Sequence, residues 1–162
     1  MTFDPSMRLA PSFTWGELVH TEHRTLYEAN AAESASAVPA LRALAAMLQA
    51  VRDHYGAPVI VHSAFRGPAL NTAIGGSKTS QHMRGEAADL HVVGVGLHEV
   101  FAWVRDESGL PYGQLILEGS IPDRPTWLHL SLGEPWRPVE RCRQAMTWDR
   151  VNGYRMANRR AL

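Results

Sequence analysis

Two imidazoles and a carboxylate are the first groups in this chain of 162 residues that could act together: His82 and Asp89 in "SQHMRGEAADL", and His129 in "WLHLS". Imidazole nitrogen and carboxylate oxygen are both zinc ligands, and a three-ligand set leaves the fourth tetrahedral position to water, as catalytic sites do. Zn²⁺ lowers the pKa of such a water to about 7, which makes a nucleophile at neutral pH. Each residue also has an ordinary reading. His82 could be a polar loop histidine, Asp89 a strand carboxylate in an apolar setting that penalises unpaired charge, and His129 a hydrogen-bonded core histidine. Only together do they make a ligand set. The single cysteine, Cys142, excludes an internal disulfide framework and a multi-cysteine zinc site. Flanked by Arg141 and Arg143 with no histidine close by, it reads as an ordinary thiol.

Whether the three groups meet depends on three short segments that alternate with period two. In "AADLHV", Ala87, Asp89 and His91 share one face, and Ala88, Leu90 and Val92 the other. In "QLILE", Gln114, Ile116 and Glu118 oppose Leu115 and Leu117; in "WLHLSL", Trp127, His129 and Ser131 oppose the leucines. If these strands are neighbours, Asp89 and His129 project into one cleft. His82 precedes the first strand, beyond Gly85, which lets the backbone fold back toward Asp89. The aliphatic faces need cover. Leu41, Leu44, Leu48, Val51 and Tyr55 recur at helical spacing from Val38 to Tyr55, ended by Gly56 and Pro58, and Leu97, Val100, Phe101 and Val104 mark a second amphipathic helix. "VIVHSAF" reads as a strand stopped by Gly67-Pro68, and 69–80 as a short helical turn followed by a loop. The expected architecture is α+β: an antiparallel sheet with helices on one face and a polar cleft on the other.

Length and 45% hydrophobic content suit one domain over 1–162, with a core of about 13–135 and an Arg-rich tail over 139–162. The tail carries Arg141, Arg143, Arg150, Arg155, Arg159 and Arg160 among Trp148 and Tyr154, and is expected to be a solvated helix packing its aromatics on the domain, with electrostatic adhesion to anionic wall polymers or a membrane surface as the alternative. Basic and acidic residues number 16 each, which gives no reason to expect a nucleic-acid partner. The N-terminus lacks the apolar core of a signal peptide, and no apolar run approaches the ~18 residues of a membrane span. A monomer made in the cytoplasm is expected. His20, His23, His54, His62 and His98 are not assigned to the metal.

The signature "SQHMRGEAADL" resembles SxHxxGxAxD of the zinc D-alanyl-D-alanine carboxypeptidase family, which also holds phage L-alanyl-D-glutamate endolysins, and "WLHLS" resembles its second metal motif. "FTWGELVHTEH", "VHSAFRGPALNTAIGGSKTS" and "YGQLILE" extend the likeness to the compact phage and prophage branch, from about Phe13 to Ser131. The resemblance implies a Hedgehog/D-Ala-D-Ala-peptidase fold, zinc on His82, Asp89 and His129, and peptidoglycan peptides as substrate. It also puts Arg66 at the cleft, where its fork could bind a carboxylate or polarise the scissile carbonyl. Ser80 and Gln81 are expected to shape the loop and steady the ligand imidazole; His91, Gln114, Trp127 and Ser131 are polar-face candidates for substrate or supporting contacts.

One position departs from the family pattern. Better-studied members carry an acid three residues before the last histidine ligand or a histidine two before it, and here Thr126 and Trp127 stand there. Glu118, on the polar face of a strand, is therefore the expected general base, ahead of Asp123 in a turn. The implied activity is a zinc metallopeptidase acting at the bacterial cell wall, with carboxypeptidase trimming and endopeptidase cleavage both open. The alternative is a non-catalytic cell-wall-binding or phage-structural module that keeps the fold.

Overall fold

Val38–Tyr55 forms the longest helix, and its apolar stripe of Leu41, Leu44, Ala45, Leu48 and Val51 is fully buried. Pro39 opens it, and Gly56 closes it in the left-handed conformation, donating its N–H to the Arg52 carbonyl at 2.9 Å. The computed structural model describes residues 1–121, 124–133 and 143–157. In chain order these are β1 (Arg8–Ala10), β2 (Phe13–Thr14), α1 (Trp15–Val19), α2 (Tyr27–Glu33), α3 (Val38–Tyr55), β3 (Val59–Ser63) and α4 (Pro68–Ala73). After them come β4 (Ala87–Val92), α5 (Leu97–Asp106), β5 (Tyr112–Gly119), β6 (Trp127–Leu132), β7 (Gln144–Asp149) and β8 (Gly153–Met156). By length and composition alone the helical stretch Arg24–Tyr55, in which α2 and α3 run on through a short tight turn, is long and apolar enough to cross a membrane. Its leucines are spent on the core.

The main sheet has the strand order β3-β4-β6-β5-β7-β8. All neighbours are antiparallel except β5 and β7, which are parallel, so the α+β expectation holds with one parallel pair inside the sheet. Alternation does the sorting. Ala88, Leu90 and Val92 of β4, Leu115 and Leu117 of β5, and Leu128 and Leu130 of β6 are buried together with the stripes of α3 and α5. Each such side chain contributes on the order of 1.5–3 kcal/mol by leaving water. The other face is left to polar groups.

The Arg-rich segment corrects the helical expectation: its described part, 143–157, is the β7–β8 hairpin, which lengthens the sheet beyond β5. The alternation of Gln144, Met146 and Trp148 with Ala145, Thr147 and Asp149 matches the pleat, and Ala145 joins the core. Asn152-Gly153 is a hairpin turn pair, with Gly153 at φ +66°. That dipeptide was the signal in the sequence. Asp149 closes the turn, accepting the Val151 and Asn152 N–H groups at 2.9 and 2.8 Å and Arg155 Nη2 at 3.0 Å. Pro138, Arg141, Cys142, Arg159 and Arg160 lie outside the described residues, as does Asp123.

Candidate metal centre

The register of β4 against β6 places Asp89 directly opposite His129, and β6 against β5 places His129 opposite Ile116. Two of the expected ligands are thus neighbours on the cleft face of the sheet. The third arrives from a loop. Residues 81–84 make a single tight helical turn, and Gly85, at φ +71°, reverses the chain so that His82 faces β4. A Cβ at Gly85 would press on Leu41 Cγ at 3.0 Å and Ala37 Cβ at 3.1 Å, so both conformation and space require glycine.

The three side chains are buried and their ligand atoms converge. His82 Nε2 lies 3.3 Å from both Asp89 Oδ1 and His129 Nδ1, and His129 Nδ1 is 2.9 Å from Asp89 Oδ1. Ligands 2.0–2.1 Å from a tetrahedral zinc stand about 3.3–3.4 Å from one another, so the triangle has nearly the right size. Its chemistry fits as well. His82 Nδ1 donates to the Ala64 carbonyl at 2.7 Å, which leaves Nε2 without a proton and turned to the Asp89 carboxylate. Burial pushes the His82 imidazole below its ordinary value against the pull of Asp89. Burial alone would raise the Asp89 carboxyl, but the imidazoles of His82 and His129 outweigh it and hold the carboxylate ionised. Lone pairs facing lone pairs call for a cation.

Arg66 occupies the flank of this triangle. Its Nε donates to Ser63 Oγ at 2.7 Å, and its Nη2 to the second carboxylate oxygen of Asp89 and to His82 Nε2, the latter at 3.2 Å. Asp89 therefore turns Oδ1 to the imidazoles and Oδ2 to the guanidinium. The backbone holding Arg66 is clamped on both sides: Phe65 N–H donates to Leu18 O at 2.8 Å and Arg66 N–H to His82 O at 3.1 Å. Buried Asn30 completes the clamp, accepting Gly67 N–H at 2.7 Å and donating to the carbonyls of Val19 and Phe65. Nη1 of Arg66 has no hydrogen-bond partner among the described residues.

Glu118 lies opposite Trp127 across β5 and β6, one diagonal from His129, a relation that spaces diagonal neighbours about 7–8 Å apart, with Cβ atoms somewhat closer. Trp127 Nε1 donates to its Oε2 at 3.1 Å. Thr126 binds the same residue from the other side, its N–H and hydroxyl reaching the Glu118 carbonyl at 2.7 and 3.3 Å. Burial and the charge of Asp89 raise the Glu118 carboxyl above its usual range, against the opposing pull of His129, Trp127 and Arg66.

The other candidates fall differently. The His82 ring is steadied by the Ala64 carbonyl, not by Ser80 or Gln81. Ser80 accepts the Met83 N–H within the loop, and Gln81 reaches the Leu132 carbonyl at 3.3 Å; both line the cleft. A main-chain carbonyl carries no residue type, so sequence held no trace of that partner. Ser131 is fully buried and accepts the Gln114 N–H at 2.8 Å where β5 bulges, while the Gln114 amide reaches Gln144 at 3.4 Å. His91 turns away from the cleft to His62, with Nδ1 and Nε2 2.8 Å apart and the rings stacked. His62 sits at a bulge of β3 and is exposed.

The cleft around the triangle measures ≈ 750 Å³. Arg66, Asp89, His82, His129 and Glu118 line it, together with the 74–81 loop and, unforeseen from sequence, Trp148, Arg150 and Tyr154 of the hairpin. A buried His-Asp-His triangle at the floor of a polar cleft, on a mostly antiparallel sheet backed by helices, defines a metallopeptidase. A model of the Peptidase M15 family matches residues 12–123, and the chain belongs to that family of zinc-dependent peptidases of peptidoglycan peptides. The match takes in His82, Asp89 and Arg66 but ends before His129, whose place rests on the β4–β6 register. A search of curated proteins matches none to this chain.

Proposed function

We propose that this metallopeptidase cuts peptidoglycan peptides as an endolysin-like stem or cross-link endopeptidase or D,D-carboxypeptidase, with Glu118 as general base and Arg66 as substrate anchor. The carrying observation is that Thr126 and Trp127, at the two places where relatives were expected to hold the base, both bond Glu118. The proton acceptor is relocated to the next strand and held from the old position.

His82, Asp89 and His129 would hold zinc, which would supply Lewis-acid polarisation of a carbonyl and a lowered pKa for water in the cleft. Glu118 then accepts the proton of the attacking water at its carboxylate and returns it to the leaving amine nitrogen. Trp127 Nε1–H fixes the carboxylate rotamer so that one oxygen remains for that transfer. Asp89 orients Arg66 through Nη2, and the remaining Nη1 is the group left to bind a peptide carbonyl or carboxylate. The chain acts as a monomer on the wall from outside the cytoplasm, after release or delivery.

The test is digestion of defined muropeptides by the zinc-loaded protein, with and without a chelator, the products identified by mass. Chelator-sensitive cleavage names the bond. Zinc binding with no cleavage of any muropeptide would replace this reading by that of a non-catalytic wall-binding module.

A further inference from the structure

The β7–β8 hairpin lies outside the matched 12–123 segment yet builds one wall of the cleft. Its register carries a row of side chains straight across the sheet: Trp127 opposite Glu118, Glu118 opposite Trp148, and Trp148 opposite Tyr154. All four line the cleft. Beyond the catalytic carboxylate the row becomes an aromatic shelf, with Trp148 and Tyr154 rings 6.3 Å apart and Tyr154 63% exposed.

The hairpin holds two arginines near this shelf, and the fold treats them oppositely. Arg155 points to the far face and pairs with buried Asp149 at 3.0 Å. Arg150, at the turn that Asp149 pins, lines the cleft and has no ion-pair partner among the described residues. The other cleft cations are committed, Arg66 to Asp89 and Arg84 to Glu86. We propose that Trp148, Tyr154 and Arg150 form a substrate subsite in which Arg150 binds a carboxylate of an acidic peptide and the aromatic pair covers the adjoining chain.

This rests on the peptidase reading of the cleft and deepens it by naming a specificity determinant. An aromatic pair alone would suit a sugar ring equally; the uncompensated cation beside it selects an anion. An exposed ion pair is worth little, but a peptide lying along the shelf excludes water from one side of the contact. Distance sets the length of substrate. His129, Ile116 and Met146 share a row, so Arg150, in the turn just past the end of β7 and four residues on from Met146, stands two strand spacings away, roughly 16 Å between Cα atoms. Subtracting the reach of the arginine leaves roughly 10 Å, or about three residues of extended peptide. A free dipeptide would not span it.

The experiment uses the zinc-loaded full chain and two acetylated five-residue wall peptides identical except that one carboxylate is a carboxamide. Hydrolysis and intrinsic tryptophan fluorescence are both followed. For Arg150→Gln, KM for the carboxylate peptide should rise about tenfold with kcat within about twofold, the carboxamide peptide should be unaffected, and Arg150→Lys should restore part of the preference. An unchanged KM, or equal weakening toward both peptides, overturns the subsite. Arg150-dependent binding of the carboxylate peptide without turnover would keep the subsite and remove the peptidase reading. Turnover with no carboxylate preference would do the reverse.

Discussion

Asp89 and His129 face each other across the β4–β6 ladder, so the backbone pairing that builds the middle of the sheet also holds two of the three candidate metal ligands 2.9 Å apart. Asp89 has a second duty toward Arg66, and the two duties separate in mutants.

His82→Ala, Asp89→Ala and His129→Ala should each weaken zinc binding by more than about 100-fold, the upper range for loss of a mere supporting contact. Elemental analysis after dialysis reads this directly; one full equivalent of zinc in any variant removes that residue from the ligand set. Measured with a chelator present, Asp89→Ala should have the lowest melting temperature, because it strands the largely buried Arg66 guanidinium at a cost on the order of 3–5 kcal/mol.

Gly85→Ala tests how the loop ligand is delivered. A side chain in the left-handed region costs about 1–2 kcal/mol, and here it also meets Leu41 and Ala37. A lower melting temperature and weaker zinc affinity should appear together, since the same reversal aims His82. A wild-type zinc affinity would show that the turn and the ligand are independent.

Glu118→Gln should keep fold and zinc while kcat falls by about 10²–10⁴. Trp127→Phe removes an N–H that favours the ionised carboxylate, so the Glu118 pKa should rise further. As the proposed base Glu118 would work deprotonated, and the acid limb of the kcat/KM profile should therefore move to higher pH. A limb that stays in place would mean that another group is titrating.

Asp149 carries the acid sensitivity of the hairpin. The Asn152 side chain, the N–H groups of Asn152 and Val151, and Arg155 hold its carboxyl below the usual range. Such a group stabilises the fold above its unfolded pKa of about 3.9 and loses that contribution as pH falls through the lower folded value. The melting-temperature gap between wild type and Asp149→Asn should be constant above about pH 5 and shrink in more acidic buffer. A gap independent of pH would assign the turn to neutral hydrogen bonds alone.

What sequence by itself determined was everything carried by periodicity and residue type. Period-two alternation put Asp89, His129 and Glu118 on the polar faces of their strands and leucines on the other, because a pleat sends neighbours to opposite sides. Helical spacing identified α3 and α5 as the cover, and Gly85 marked the reversal that returns His82. Tertiary structure alone decided what depends on partners distant in the chain. The Ala64 carbonyl behind His82, the Thr126 and Trp127 bonds to Glu118, and the divided Asp89 carboxylate come from strand register and loop packing, which local pattern does not encode. The hairpin shows the limit most clearly. Its arginines look alike in sequence, and only strand pairing separates them: the β7–β8 register brings Arg155 to Asp149, and the parallel pairing of β7 with β5 sets the turn that carries Arg150 against the cleft.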